Sequence, residues 1–487
     1  MPEARNLTCF RFFAPSGANF LEGTEETQLH EHHVRSHISS EEQHRRMLHT
    51  PMPKLIVSLA APTVASQLIS ILYNTADTYF VSQISTSASA AVGVVFSLQS
   101  IIQAYGFGVA MGASSLISLR LGEKRDREAN AYASSGFFAE TVGGVWMLIF
   151  GLLFLEPLMR ILGATETMLP HAKAYGRIIL MGAPIMCCSF ILNSILRSEG
   201  AAAAAMIGLC SGGIFNIALD PLFIFTFGMG TAGAAVATVL SQCVSLVILG
   251  VAFAKGRSIV RLHPRDISRR LRDYGQILAV GFPTIARQGL ASLASALLNL
   301  QAGVYSDAAV AALTISNKIY LLVRSVVLGI GQGFQPVAGY NYGAGDKKRT
   351  KEAFTFATKL GTVVCIFASC IIAAFAAPIM GWFRNDAKVI EIGRTALLYA
   401  CAVMPFMAYS TFVNQLYQCL GYKVPATVLA SLRQGICYLP LIFLLPHFFG
   451  LSGVQAAQPA SDLATFFICI PFQIAFFRKH LKDCPKS

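Results

Sequence analysis

Asp77, Asn216 and Asp220 lie within long apolar stretches, where oxygen-bearing side chains are expensive to hold. Asn216 and Asp220 stand four residues apart, so a helix presents both on one face. Pro221 follows at once and frees a backbone carbonyl nearby. Two carboxylates with amide and hydroxyl neighbours make an oxygen-rich cage. Such a cage suits two related tasks, coordinating Na⁺ through hard oxygen ligands or holding an exchangeable proton. Thr238, Tyr175 and Asn193 are candidates to complete the cage or its hydrogen-bond shell. The bland alternative gives the aspartates to neighbouring helix ends or hydroxyls. It also gives Thr238, set among Gly233, Ala234, Ala235 and Ala237, to close helix packing.

The second half of the chain carries a different set. Its intramembrane charges are mainly basic, namely Arg287, Lys318, Arg324, Lys359 and Arg433, with Asp462 as the main acid. One reading pairs Asp462 with Arg433 or Arg287 and lets the long basic side chains snorkel. The other makes Arg287 and Arg433 cavity-lining contacts for an acidic or zwitterionic substrate. Asp462 aligns with Gln242 of the first half, so the acidic sites are not simply duplicated.

The elements that position these groups follow from composition. The 487 residues are 54% hydrophobic and 13% charged, with mean hydropathy +0.56, against about 25% charged in an ordinary soluble domain. Apolar runs long enough to cross a bilayer recur after the first fifty positions. They predict about twelve transmembrane helices at 54–82, 89–119, 129–156, 170–197, 200–226, 231–254, 275–301, 308–341, 352–381, 388–418, 422–447 and 451–477. Residues 1–50 read as a disordered tail holding His30, His32, His33, His37, His44 and His49, and 480–487 as a second tail. Between them stand a six-helix lobe at 51–254, a basic linker at 255–274 and a second lobe at 275–479.

The net charge of +13 sits in short loops, around Arg120–Arg127, Lys255–Arg272, Lys347–Lys351 and Arg478–Lys486. The positive-inside rule accounts for it better than nucleic acid does, and puts both termini in the cytoplasm. Cysteines such as Cys187, Cys188 and Cys370 lie in apolar runs and read as small buried hydrophobes. No GxxxxGK[ST] motif, metal-ligand cluster or nucleophile–base arrangement marks an ATP-driven machine or an enzyme.

The two lobes read as copies. Ala61-Pro62-Thr63 returns as Phe282-Pro283-Thr284, and Ile84–Val94 as Tyr305–Ile315, at a shift of 221 residues. Gly106-Phe107-Gly108 returns as Gly329-Ile330-Gly331, and Gly230-x-x-Gly233 as Gly450-x-x-Gly453. Six spans per copy start each lobe on the same side, so the repeats are parallel and a cleft is expected between them.

Four segments resemble the multidrug and toxic compound extrusion (MATE) transporters, most closely the bacterial MepA-like branch. They are Leu59-Ala60-Ala61-Pro62, Asn74–Val81, Asn216–Phe225 and Gln332–Gly343. The resemblance implies an all-α, V-shaped pair of six-helix lobes and export of drugs or other amphiphilic or cationic organic ions. It further implies alternating access driven by Na⁺ or H⁺ antiport, without another cofactor, in a monomer of the bacterial inner membrane. By the same resemblance Asp77, Asn216, Asp220 and Thr238 bind the coupling cation, while Tyr175 and Asn193 line that cavity. A lipid-linked glycan or precursor flippase of the same superfamily is the competing reading, and an integral-membrane enzyme a distant one.

Overall fold

A computed structural model describes residues 41–481 apart from 85, 257 and 385. The histidines at 30–37 and the tail from 482 lie outside the described residues. The described residues from Gln43 onward form one compact unit; of the preceding one, Met1–Glu42, only Glu41 and Glu42 are described, and both are helical.

Among the described residues, twelve helices are long and apolar enough to span a membrane. A helix closes its backbone hydrogen bonds within itself, which hydrocarbon requires of any segment that faces it. In the first lobe they are α2 (Met52–Ser82), α3 (Thr86–Gly122), α4 (Asp126–Leu153), α6 (Leu169–Ser198), α7 (Ala202–Pro221, continued by a π-helical turn at Leu222–Thr226) and α8 (Gly230–Ala254). In the second lobe they are α9 (Leu271–Gly303), α10 (Asp307–Gly343), α11 (Lys347–Ala374) and α13 (Ala387–Cys419). The eleventh span joins α14 (Lys423–Ser431) to α15 (Tyr438–Phe449) through a π-helical turn at Leu432–Ile436, and the twelfth is α16 (Leu451–His480). Short helices α5 (Leu155–Ile161) and α12 (Ala376–Phe383) follow the third and ninth spans.

The duplication extends below what the sequence alignment reveals. Asn193 Nδ2 donates to Ala205 O at 2.9 Å and Asn414 Nδ2 donates to Ala426 O at 2.7 Å, the same bond in each lobe. Helix-interior prolines Pro184 and Pro405 match as Pro62 and Pro283 do. The lobes meet where α2 packs on α10 and α3 packs on α9. Backbones approach closely there: a Cβ on Gly112 would lie 2.0 Å from Ile277 O, and one on Gly329 would lie 2.7 Å from Val64 Cα. Thr63, next to the proline of α2, donates to Gly329 O at 2.6 Å across this seam.

An even number of spans puts both ends of the bundle's chain, and the basic loops, on one face, called here the terminal face. Among the described residues the hydrogen bonds that join the lobes all lie in the half nearer that face. They include Arg197 Nη1 to Gln332 Oε1 at 2.7 Å and Tyr132 OH to Gln276 Oε1 at 2.7 Å.

The expectation of a disordered tail through residue 50 meets an additional helix, α1, at residues 41–49. Met47 is fully buried, Gln43 Nε2 donates to Glu199 O at 2.7 Å, and Asn341 Nδ2 and Arg349 Nη2 donate to Met47 O and Thr50 O at 3.3 and 2.8 Å. Tertiary contact thus supplies the order that composition alone did not predict. Cys370 also departs from expectation, since its thiol is exposed rather than buried.

Candidate functional site

Four helices of the first lobe bring the predicted oxygen ligands together in the half away from the terminal face. Asn216 and Asp220 share a face of α7, with Asn216 Nδ2 donating to Asp220 Oδ1 at 3.2 Å. The same amide nitrogen lies 3.5 Å from Thr238 Oγ1 of α8, whose own hydrogen goes to Ala234 O at 3.0 Å. Tyr175 of α6 donates to Asp77 Oδ2 of α2 at 3.4 Å, and Asp77 and Asp220 stand close enough for Asp220 to feel the other's charge. Asp220 is fully buried, and Asn216, Tyr175 and Thr238 nearly so. Directly after Pro221 the helix widens to a π turn, where Phe227 N bonds Leu222 O at 3.0 Å.

Three oxygens of this set, Asp77 Oδ1, Asn216 Oδ1 and Asp220 Oδ2, are buried and meet no hydrogen-bond donor among the described residues. A cluster of acceptors without donors is what a hard cation or a bound proton satisfies. Asn193 is elsewhere: it ties α6 to α7 and lines a cavity of about 70 Å³ with Tyr73, Asn74, Gln103, Arg197 and Gln332. Tyr175 sits against the aspartates instead. Glu140 of α4 is a further fully buried acid of the first lobe.

In the second lobe the pairing partner of Asp462 is Arg433 rather than Arg287. Arg433 Nε donates to Asp462 Oδ1 at 2.5 Å, and Tyr320 OH donates to Asp462 Oδ2 at 2.5 Å. Arg433 also bonds Tyr320 OH and lies over its ring, 5.3 Å from the centroid. Arg433 lies in the π turn, and Ser461 Oγ donates to its carbonyl at 2.5 Å. Lys318 and Lys359 are exposed on the outer surface, which fits snorkelling.

A cavity of about 280 Å³ lies beside this group. Arg287 and Arg433 line it, and so do Arg324 and a set of amides that sequence reading passed over, among them Gln288, Gln335, Gln415 and Gln434. A signal for the amides was available. Gln332 with Gln335 and Gln415 with Gln418 each recur at helical i, i+3 spacing inside apolar spans.

The comparisons with known proteins agree with this architecture. A family model described as MatE matches residues 62–222 and 283–444, one stretch in each lobe. The multidrug export protein MepA of Staphylococcus saprophyticus is 26% identical over 404 residues, covering 82% of this chain and 89% of that protein. An FAD transporter of Shewanella oneidensis is 26% identical over 431 residues, covering 87% and 94%. A solved structure described as the outward-facing conformation of a multidrug resistance MATE family transporter aligns with a TM-score of 0.85 at 27% identity, covering 89% of this chain and 98% of that one. With both lobes matched and the twelve-span fold shared, this chain belongs to the MatE family and is a multi-pass membrane transporter of the MATE type.

Proposed function

We propose that the protein is a secondary active exporter of small organic ions, drugs among them, driven by antiport of Na⁺ or H⁺ bound in the first lobe. The observation that carries this reading is the trio of donor-free oxygens on Asp77, Asn216 and Asp220. A Na⁺ entering there gains oxygen ligands, a proton neutralises one carboxylate, and either lowers the repulsion between Asp77 and Asp220. The cation's electrochemical gradient then supplies the free energy that moves cargo.

The placement of the lobe contacts supports alternating access. Bonds such as Arg197–Gln332 and Thr63–Gly329 hold the terminal face shut, so a cavity closed on that side opens toward the other. Resetting requires those bonds to break, and a bend at Pro62 or Pro221 is a place for the helices to give. The relatives named for drug export and for FAD transport support an organic cargo carried unchanged. The basic loops on the terminal face support, by the positive-inside rule, a cytoplasmic side for both termini of a bacterial inner-membrane protein.

The test is transport in proteoliposomes with a Na⁺ or proton gradient imposed one at a time. Asp220→Asn is expected to abolish gradient-driven movement of a panel of organic dyes while inserting and purifying as the parent does. Undiminished gradient-driven transport by that variant would remove the mechanism.

A further inference from the structure

We propose that the cavity beside Arg433, lined mainly by the second lobe, is a binding site for anionic cargo, an organic molecule bearing phosphate or carboxylate groups on a hydrogen-bonding body. The charge balance of the site leads to it. Arg287, Arg324 and Arg433 all line the cavity, and Arg433 is near enough for its charge to reach both of the others. One acid, Asp462, stands against the three. It is saturated: Oδ1 receives Arg433 Nε and Gln458 Nε2 at 2.5 and 3.0 Å, while Oδ2 receives Tyr320 OH and Arg433 Nη2 at 2.5 and 3.5 Å.

Arg287 and Arg324 have neither an ion pair nor a hydrogen bond among the described residues, and Arg324 is only 8% exposed. Both lie near the middle of their spans, α9 and α10, where an uncompensated cation costs at least ~2.5 kcal/mol on insertion scales. Two forked guanidiniums facing one cavity are built to take a carboxylate or phosphate by parallel N–H···O pairs. A cationic cargo would meet like charge instead.

The remainder of the lining describes the body of the ligand. The amide side chains Gln335, Gln415 and Gln434 line it, and Gln335 Nε2, Gln415 Oε1 and Gln434 Oε1 are buried with no hydrogen-bond partner among the described residues. Phe107, Met111 and Leu321 add apolar surface on other sides. At about 280 Å³ the space is near the lower end of cavities that hold small organic ligands.

This inference takes the word cargo from the transporter reading above, but its test is equilibrium binding and does not depend on coupling. Full-length protein in nanodiscs is titrated with adenosine monophosphate, citrate and ethidium, and separately in nanodiscs containing phosphatidic acid. The anions are expected to bind, and Arg287→Gln and Arg324→Gln each to weaken them about tenfold or more. Arg324→Lys, which keeps the charge without the fork, is expected to fall between Arg324→Gln and the parent. Competition by phosphatidic acid would identify a lipid phosphate as the source of the anion, and its absence a soluble one. Lys318→Gln, on the outer surface and outside this cavity, is expected to bind as the parent does, and because no gradient is imposed, failure of the antiport mechanism leaves the binding result standing. Equal anion affinity in the parent and both glutamine variants, or binding of ethidium alone, would overturn the proposal.

Discussion

The chemistry of the two lobes diverges residue by residue on a repeated backbone. In the first lobe acceptors outnumber donors around Asp77 and Asp220; in the second, cations outnumber the acid around Asp462. The Arg433–Asp462 pair shows what each charge requires. Arg433→Ala leaves the carboxylate, 1% exposed, with Tyr320 and Gln458 as its remaining partners. Removing one member of a buried pair costs about 3–5 kcal/mol, whereas replacing both by apolar side chains is often neutral. The expected result is a large fall in the thermal midpoint of detergent-purified Arg433→Ala, read by size-exclusion, with most of it recovered in the double variant Arg433→Leu/Asp462→Leu. A single variant as stable as the parent would show that the pair carries no structural weight. The first-lobe cage was legible in sequence because Asn216, Asp220 and Pro221 sit together on one helix. Arg324 was visible as a charge but not as a lining residue, since only packing decides which face of α10 meets the cavity and which, like that of Lys318, meets the outside.

At the scale of elements, the spans were readable from hydropathy because lipid imposes their length and closure. The π turns and the pinning of the linker were not, since both depend on what the neighbouring helix offers. Glu199, one residue past the end of α6, is the anchor of the linker: it accepts from Ser258 Oγ at 2.7 Å, Ile259 N at 2.9 Å and Val260 N at 3.2 Å. Burial pushes its carboxyl up from the ordinary 4.5 to about 7, against the pull of those three donors. The folded chain therefore holds a proton that the unfolded chain has released between those values. Stability from this group is full below about pH 4.5 and is lost as pH rises through about 7. Glu199→Gln keeps an acceptor and removes the titration. Relative to that variant, the parent's thermal midpoint is expected to decline across this window and to run parallel outside it. A constant difference at every pH would mean that Glu199 stays ionised throughout.

For the whole molecule, duplication fixed the architecture and the seam between copies fixed where it closes. The repeat was evident from Pro62 and Pro283, yet the clamp laid over the seam was not. Residues 41–49 hold two apolar side chains, Met47 and Leu48, among charges, imidazoles and one amide, too weak a pattern to announce a helix in isolation. The clamp touches both lobes: Gln43 reaches Glu199 on the first, while His44 Nδ1 lies 2.9 Å from Tyr340 OH and Met47 O receives Asn341 on the second. These bonds bridge the two lobes, so under the proposed alternating access a state open on the terminal face breaks them and they favour the shut one. Each partly exposed hydrogen bond adds about 1 kcal/mol, and a loss of ~1–3 kcal/mol in all shifts the closed-to-open ratio about tenfold to hundredfold. Deleting residues 1–49 is accordingly expected to raise hydrogen exchange in the terminal-face end of α10, around Val337–Asn341, and in the α6–α7 turn at Glu199–Ala201. The same deletion should leave exchange unchanged at the opposite ends of those helices, near Asp307 and Leu169. Uniform protection before and after deletion would show that the seam between α2, α3, α9 and α10 closes the face without the clamp.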